Sequence, residues 1–321
     1  MKLYVLKTTD PYLNLAIEEY LFENSEETIF ILWQNDKTVV IGKNQNAYCE
    51  VNGNYAKDQG IKIARRITGG GAVYHDLGNI NYSFISKSSN IGIDFKYFTE
   101  PIISLLKSMS VEACLSGRND IIVGDRKISG NAQFSKNGKT LHHGTILFDS
   151  DMTVLSSVLN VDPDKLKSKA IKSTRSRVVN LKQILNKDIS AADFISLLKN
   201  YIINNFSAEL SEQVINEEIL AIKNRNQSNS WIYPERDYLS SYTIKRKKRY
   251  DFGVVELDLE MHGESFKNIK IHGDFFGNKS TEELESIIKS YGAEKLSEIN
   301  LSDYIFGMSS DDFLTLLYKG E

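Results

Sequence analysis

Three consecutive glycines follow a pair of arginines in the segment Arg65-Arg66-Ile67-Thr68-Gly69-Gly70-Gly71-Ala72-Val73-Tyr74-His75. Inside regular structure each glycine costs roughly 0.5–1 kcal/mol relative to alanine, so a triplet there needs an offsetting role. Glycines admit a ligand against the main chain and let its N–H groups converge on an anion, while forked arginine donors suit phosphate or carboxylate. A flexible hairpin with solvated arginines is the competing reading. The segment is not a Walker loop, since no Gly-Lys-Ser/Thr follows, and it lacks the Gly-x-Gly-x-x-Gly of dinucleotide folds.

A second segment, Gly117-Arg118-Asn119-Asp120-Ile121-Ile122-Val123-Gly124-Asp125-Arg126-Lys127-Ile128-Ser129-Gly130, places Lys127 at the start of a predicted strand. An ammonium there could face a cleft and meet a carboxylate or phosphate as a mobile point charge. Asn119 and Asp120 could offer hard oxygen ligands to Mg²⁺. Taken singly, each of these residues also suits a surface or a turn. His142 and His143 invite a metal reading, but neighbours in a strand face opposite ways and do not easily chelate one ion. The charges of Lys167–Arg177 could close over a phosphate as a lid, or form a solvated loop. Cys49 and Cys114 lack a Cys-His signature.

Asp10 caps, Pro11 starts, and Leu13, Ala16, Ile17, Tyr20 and Leu21 continue a first helix, expected before any strand. Thr28–Trp33 and Thr38–Gly42 read as a hairpin joined by Gln34-Asn35-Asp36-Lys37. A short helix over Val51–Gln59 ends at Gly60. Strands follow at Ile61–Arg66, Ala72–His75 and Ile80–Ser86, then a helix at Asp94–Met109. Strands return at Asp120–Val123, Lys127–Ser135 and Thr140–Phe148, with turn signals at Gly124-Asp125 and Lys136-Asn137-Gly138-Lys139. Thr153 to about Asn224 is mostly helical, and the basic run Lys245–Arg249 reads as a solvated connection between domains. Val254–Met261 and Ile269–Asp274 read as strands, Thr281–Tyr291 and Asp311–Tyr318 as helices. The interleaving of hairpins and helices argues for an α+β fold around a mixed or largely antiparallel sheet, residues 1–243, with a small α/β domain over 244–321.

At 321 residues the chain has length for about two domains, and its net charge of −3 disfavours a strongly basic nucleic-acid binder. Two cysteines cannot build a disulfide framework or a four-thiolate zinc site, which points to a reducing cytoplasm. No run of about 18 apolar residues occurs and the first residues lack a secretory h-region, so neither membrane nor export is expected.

Taken together, the segments resemble the lipoate–protein ligase family. The match rests on Arg65-Arg66 with Gly69 through Asn79, on Gly117-Arg118-Asn119-Asp120, on Gly124-Asp125-Arg126-Lys127-Ile128-Ser129-Gly130, and on His142-His143-Gly144-Thr145. It extends to Lys172-Ser173-Thr174-Arg175-Ser176-Arg177-Val178 and to Asn14-Leu15-Ala16-Ile17-Glu18-Glu19, strongly over residues 1 to about 180 and more loosely beyond. The resemblance implies the biotin/lipoate ligase fold with the accessory domain of the family's longer members. It implies a two-step reaction: ATP and lipoate give lipoyl-adenylate and pyrophosphate, and a protein lysine then attacks the mixed anhydride. By the family's pattern Arg66, Gly71, Ala72, Val73, Tyr74 and Lys127 bind ATP or the adenylate, and Lys127 also holds the lipoate carboxyl end as the catalytic residue. Asn79 is implied for the acyl or adenylate end, Asp120 for the nucleotide or Mg²⁺, and Arg175 for the lid. Acceptors would be lipoyl domains of 2-oxoacid dehydrogenase acyltransferases or the glycine-cleavage H protein. Two other readings stay open: an ATP-independent octanoyl or lipoyl transferase, which needs an acyl-carrying cysteine, and a ligand-sensing module without enzymatic activity.

Overall fold

The structure, a computed structural model, describes residues 1–87, 94–160, 178–213, 215–234, 242–263 and 265–320. In chain order the elements run β1 (Lys2–Val5), α1 (Pro11–Asn24), β2 (Ile29–Trp33), β3 (Thr38–Ile41), α2 (Ala47–Glu50), α3 (Gly53–Asp58), β4 (Lys62–Arg65), β5 (Val73–His75), β6 (Asn79–Lys87) and α4 (Phe95–Ser108). Then come β7 (Ala113–Ser116), β8 (Asp120–Val123), β9 (Arg126–Lys136), β10 (Lys139–Leu147), α5 (Met152–Val158), α6 (Ala191–Phe206), β11 (Glu209–Ser211), α7 (Glu217–Asn226) and α8 (Asn229–Ile232). The chain closes with β12 (Ile244–Tyr250), β13 (Gly253–His262), β14 (Ser265–Gly273), α9 (Thr281–Tyr291) and α10 (Ser310–Tyr318).

The α+β expectation holds. An eight-stranded mixed sheet has the order β11-β1-β2-β6-β10-β9-β8-β7, and a separate three-stranded sheet has the order β4-β3-β5. Local chemistry accounts for many boundaries. Asp10 accepts from the Tyr12 amide to cap α1, with Pro11 at its first turn. Asn137 and Gly138, at φ 52° and 72°, supply the two left-handed residues of a tight turn between β9 and β10.

Both faces of the large sheet are covered. On one, Ile102 and Leu106 of α4 and Phe194 and Leu198 of α6 bury against Tyr82, Phe84 and Ile146. On the other, Leu15, Ile17 and Phe22 of α1 join Ile29, Ile31 and Ile85 together with Val40 and Ala64 of the small sheet. At about 1.5–3 kcal/mol per fully buried large apolar side chain, the second of these layers holds the small sheet against the large one.

Three expectations need correction. A strand, β1, precedes the first helix; it pairs in parallel with β2 and β11, partners distant in sequence, so local pattern gave no sign of it. Thr28–Trp33 and Thr38–Gly42 do not form a hairpin: β2 pairs with β1 and β6, while β3 pairs with β4 and β5 in the other sheet. Asn35 is buried between them and accepts from Asn14 Nδ2 at 2.9 Å, which carries the chain across from one sheet to the other. The basic run Lys245–Arg249 is not a connection but the body of β12, whose cations meet acidic partners across the strand, as at Lys247 and Glu256, 2.9 Å apart.

Strands β12–β14 form a third sheet, whose Val255, Leu257, Leu259 and Ile271 pack on Leu284 and Ile288 of α9 and on Phe313 and Leu316 of α10. No helix among the described residues is long and apolar enough to cross a membrane.

Candidate active site

A cavity of about 130 Å³ lies between the large sheet and the small one. Leu15, Trp33, Val40, Val73 and Ala132 give it an apolar wall, and Arg66, Gly70, Gly71, Asn119, Lys127 and Thr145 a polar one. Strand register places the floor: Trp33 stands opposite Asn81, Asn81 opposite Thr145, and Thr145 Oγ1 accepts the Gly130 amide at 3.3 Å. With adjacent strands about 4.8 Å apart, this row spans about 14 Å from Trp33 to the strand that carries Lys127. Along this row Trp33 stands at one end and the Lys127 strand, which also carries Ala132, at the other.

The glycine loop roofs it. Arg66 is 5% exposed, and its guanidinium points into the loop rather than outward. Nη2 donates to the carbonyls of Gly69 and Gly71 at 2.7 and 2.8 Å, Nη1 to Val40 O at 3.2 Å, and Nε to Thr68 Oγ1 at 3.0 Å. Burial, against a nearby Glu18, lowers its pKa to about 10, so it remains a cation at neutral pH. The carbonyls are thus drawn inward onto a fixed positive charge. Gly70 adopts φ 89°, and its amide donates to Phe275 O at 3.2 Å, which ties the loop to the C-terminal sheet region. Phe276 lies beneath the Arg118 guanidinium at 4.5 Å. A Cβ on Gly71 would meet nothing within 4 Å, so its space opens onto the cavity.

At the other end Lys127 Nζ is 2.7 Å from Asp120 Oδ1, with both side chains about one-third exposed. Asn119 Nδ2 reaches Asn131 O, and Asn131 Nδ2 returns to Asn119 O at 2.9 Å, pinning the turn before β8. Gly130 leaves room for the lysine, since a Cβ there would stand 3.0 Å from Nζ.

A buried chain of hydrogen bonds runs beneath the loop. Trp33 Nε1 donates to Ser83 Oγ at 2.9 Å, and Ser83 in turn donates to Glu18. Glu18 also faces His143 Nδ1 at 2.9 Å, and His143 Nε2 lies 2.8 Å from Thr68 Oγ1. One arrangement of protons satisfies all of these groups: Nδ1–H to the carboxylate, Thr68 O–H to Nε2, and Arg66 Nε–H to the Thr68 oxygen. His142 faces the other side of the sheet, accepting from Gln133 and stacking on Phe98 at 5.3 Å. Burial and then the neighbouring His143 hold its pKa well below the ordinary value. The two histidines share no ligand position, and no cluster of three or more His, Cys, Asp or Glu able to hold a metal occurs among the described residues.

The structure brings Arg66, Gly71, Ala72, Val73 and Lys127 to one cavity. Tyr74 points away: alternation along β5 sends Val73 and His75 inward and Tyr74 into the packing with Val39 and Ile41, where burial pushes its pKa up to about 12. Asn79 stands two residues back on the same face of β6, its Nδ2 donating to Asn81 Oδ1 at 2.8 Å, and Asn81 is the one that borders the cavity. Asp120 is beside Lys127. Arg175 and the Lys167–Arg177 segment lie outside the described residues. Neither Cys49 on α2 nor Cys114 on β7 borders the cavity. Sequence reasoning gave no role to Glu18, Trp33, His75 or Asn81. For Glu18 a signal existed: Asn14, Glu18 and Phe22 recur every four residues on the buried face of α1.

Lys127 at one end, Trp33 at the other and the Arg66-pinned glycine loop above, in a fold of sheets faced by helices, make a site suited to an anionic group joined to an apolar tail. Residues 10–203 match the lipoyl protein ligase A/B catalytic domain, and residues 240–317 the bacterial lipoate protein ligase C-terminus. The chain is 41% identical to lipoate-protein ligase LplJ of Bacillus subtilis (strain 168) over 324 residues, covering 96% of this chain and 97% of the relative. It is 36% identical to lipoate–protein ligase 1 of Staphylococcus aureus (strain Mu50 / ATCC 700699), again covering 96% and 97%. Among solved structures, P. falciparum LipL1 in complex with lipoate superposes with a TM-score of 0.78 at 28% identity, covering 93% of this chain and 94% of that one. Lipoate-protein ligase A bound with ATP gives 0.62 at 28% identity, covering 72% and 98%. The chain belongs to the lipoate–protein ligase family and is a ligase of that family, with the fold of its solved members.

Proposed function

We propose that this enzyme activates free lipoate with ATP to lipoyl-AMP and pyrophosphate, then transfers the lipoyl group to a lysine of a lipoyl-domain protein. The observation that carries the reading is that one cavity holds Lys127 at one end, the Arg66-pinned glycine loop above and Trp33 at the far end, with Leu15, Val40 and Val73 also in its wall. In the first step a carboxylate oxygen bonds to the α-phosphorus as the bond to pyrophosphate breaks. Lys127 offsets the repulsion between carboxylate and phosphate, and the main chain of Gly71–Tyr74 approaches the nucleotide, held by Arg66. In the second step the acceptor amine bonds to the acyl carbon and AMP leaves. Tyr74 contributes main chain alone, and Asn79 acts through Asn81. Arg175 stands as an expected contact of the adenylate.

Mg²⁺ belongs to the same proposal as a companion of the ATP phosphates. Magnesium takes one or two carboxylates plus phosphate oxygens, and Asp120 is the carboxylate at hand once Lys127 turns to substrate. The acceptors proposed are lipoyl domains of 2-oxoacid dehydrogenase acyltransferases and the glycine-cleavage H protein. Support comes from a solved chain of an archaeal lipoylation system, described as a bipartite lipoate protein ligase and its E2 lipoyl domain from Thermoplasma acidophilum, which superposes with a TM-score of 0.64 at 30% identity and covers 72% of this chain and 95% of that one. Residues 1–243 form the catalytic part and 244–321 the accessory part in this reading. Cytoplasmic residence is proposed from the unpaired Cys49 and Cys114.

The test is to incubate the protein with ATP, Mg²⁺, lipoate and purified acceptor domains and weigh the acceptors. A lipoyl mass increase that vanishes without ATP is expected. An increase that persists without ATP from an acyl-carrier donor would favour the transferase reading.

A further inference from the structure

Two polar atoms on residues bordering the cavity have no partner among the described residues: His75 Nε2 and Asn81 Nδ2. The proton on His75 follows from its neighbours. Asn14 Nδ2 donates to the main-chain carbonyls of Thr8 and Gln34 at 3.1 and 2.8 Å, which settles the nitrogen end of that amide. The same nitrogen meets Asn35 Oδ1 at 2.9 Å, so Asn35 turns its own Nδ2 to His75 Nδ1 at 3.2 Å. Nδ1 is therefore the acceptor and Nε2 carries the hydrogen. Burial, with Arg66 nearby, lowers the pKa of the ring to about 3, so it stays neutral. With Asn79 Nδ2 donating to Asn81 Oδ1 at 2.8 Å, and Asn79 Oδ1 likewise unpartnered among the described residues, Asn81 Nδ2 is a second donor in this orientation of the two amides.

Both donors lie at the same end of the cavity. The His75 ring stands edge-on to Trp33 with centroids 6.1 Å apart, and Trp33 is the register partner of Asn81. One donor comes from the small sheet and the other from the large one. Lys127, proposed above to hold the carboxyl end, is at the opposite end of the row that runs through Thr145 and Gly130. His75 is 3% exposed and Asn81 1%, so a group bound between them replaces bulk water as their partner.

We propose that His75 and Asn81 form a donor pair that receives the far end of the acyl chain and selects a tail carrying an acceptor, such as the sulfurs of a dithiolane ring, over a plain alkyl tail. An alkyl group at this place leaves two buried N–H groups without an acceptor, and a sulfur lone pair is a weak but real one. Sites whose polar groups are left unpaired discriminate more strongly than apolar pockets that sense size alone. The inference rests on the acid activation proposed above.

The test is acid-dependent exchange of pyrophosphate into ATP, measured for lipoate, octanoate and an octanoate analogue with one thioether sulfur near its far end. In the wild type, kcat/KM is expected to fall in the order lipoate, thioether analogue, octanoate, with a step of several-fold between the last two. His75→Phe keeps the ring and removes the donor, and is expected to lower the ratio of lipoate to octanoate about five- to tenfold, mainly through loss on lipoate. Asn81→Leu is expected to act in the same direction, and His75→Gln to recover part of the ratio. Equal rates for thioether analogue and octanoate in the wild type, or equal loss on both acids in His75→Phe, would overturn the proposal. Absence of exchange with any acid in the wild type would instead overturn the activation reaction.

Discussion

His143 Nδ1 lies 2.9 Å from Glu18 Oε1, a contact that joins β10 to α1 across the buried floor of the site. Glu18 is 1% exposed and serves two donors, His143 and Ser83, while His143 passes the constraint on to Thr68 and so to Arg66 and the glycine loop. A helix residue thereby bears on the position of the loop without touching it.

Glu18→Ala would leave the His143 and Ser83 donors buried without their acceptor. A loss of about 2–4 kcal/mol in unfolding free energy is expected, read by urea denaturation. Glu18→Gln retains an acceptor oxygen and should lose clearly less. Equal losses in the two variants would show that filling space, and not the hydrogen bonds, is what Glu18 contributes.

The neighbouring glycines should separate in their effects. An alanine Cβ at Gly70 would come within 2.9 Å of the Phe276 ring and 3.0 Å of Arg66 Nη2, at a φ of 89° that L-residues seldom adopt. Gly70→Ala should cost about 1–3 kcal/mol of stability. Gly71→Ala meets nothing within 4 Å and should stay within about 0.5 kcal/mol of wild type in stability. Its methyl stands where the nucleotide is proposed to approach, so KM for ATP should rise roughly tenfold, an effect of about 1.4 kcal/mol. Unchanged KM in Gly71→Ala would remove the close main-chain approach.

The double change Cys49→Ser, Cys114→Ser should keep ATP-dependent lipoylation within about twofold of wild type, because a thioester route needs a cysteine at the acyl site. Neither thiol borders the cavity, and burial raises the Cys49 pKa and disfavours its thiolate. Loss of turnover with unaltered circular dichroism would bring the acyl-cysteine route back.

Acid should destabilise the fold before its carboxylates are titrated. His75, His142 and His272 are held neutral by burial, reinforced by Arg66, His143 and Lys270 respectively, with His75 and His272 lowered from 6.5 to about 3. Below pH 6.5 the unfolded chain binds protons that these rings in the folded chain refuse. Their contribution is therefore complete above that pH and is lost progressively as pH falls toward 3. Between pH 7.5 and 5.5 His75 and His272 should each cost about 1.4 kcal/mol, together about 3 kcal/mol, in urea unfolding, with His142 acting in the same direction. A stability that stays flat over this interval would mean the rings take up protons without unfolding.

Much of this was legible in the chain. Arg66, the glycine triplet and Lys127 could be singled out because their chemistry is local: glycine admits close approach, and arginine and lysine carry charge wherever they fall. Helix α1 could be placed from Asp10 and Pro11, and the turn at Asn137-Gly138 from residue type, for the same reason. The parallel strand β1 and the parting of β2 from β3 could not, since strand pairing depends on partners far away in sequence.

Residue type and order along the chain were enough to mark the groups available for anion binding, the α+β class and the family. How those groups are used came from packing. Packing turned Arg66 inward onto Gly69 and Gly71, sent Tyr74 away and put Asn81 before Asn79, because burial obliges each polar group to find a partner and each strand to alternate. The same packing set His75 of one sheet beside Trp33 of another, a contact that depends on how two sheets stack and that no spacing along the chain could reveal.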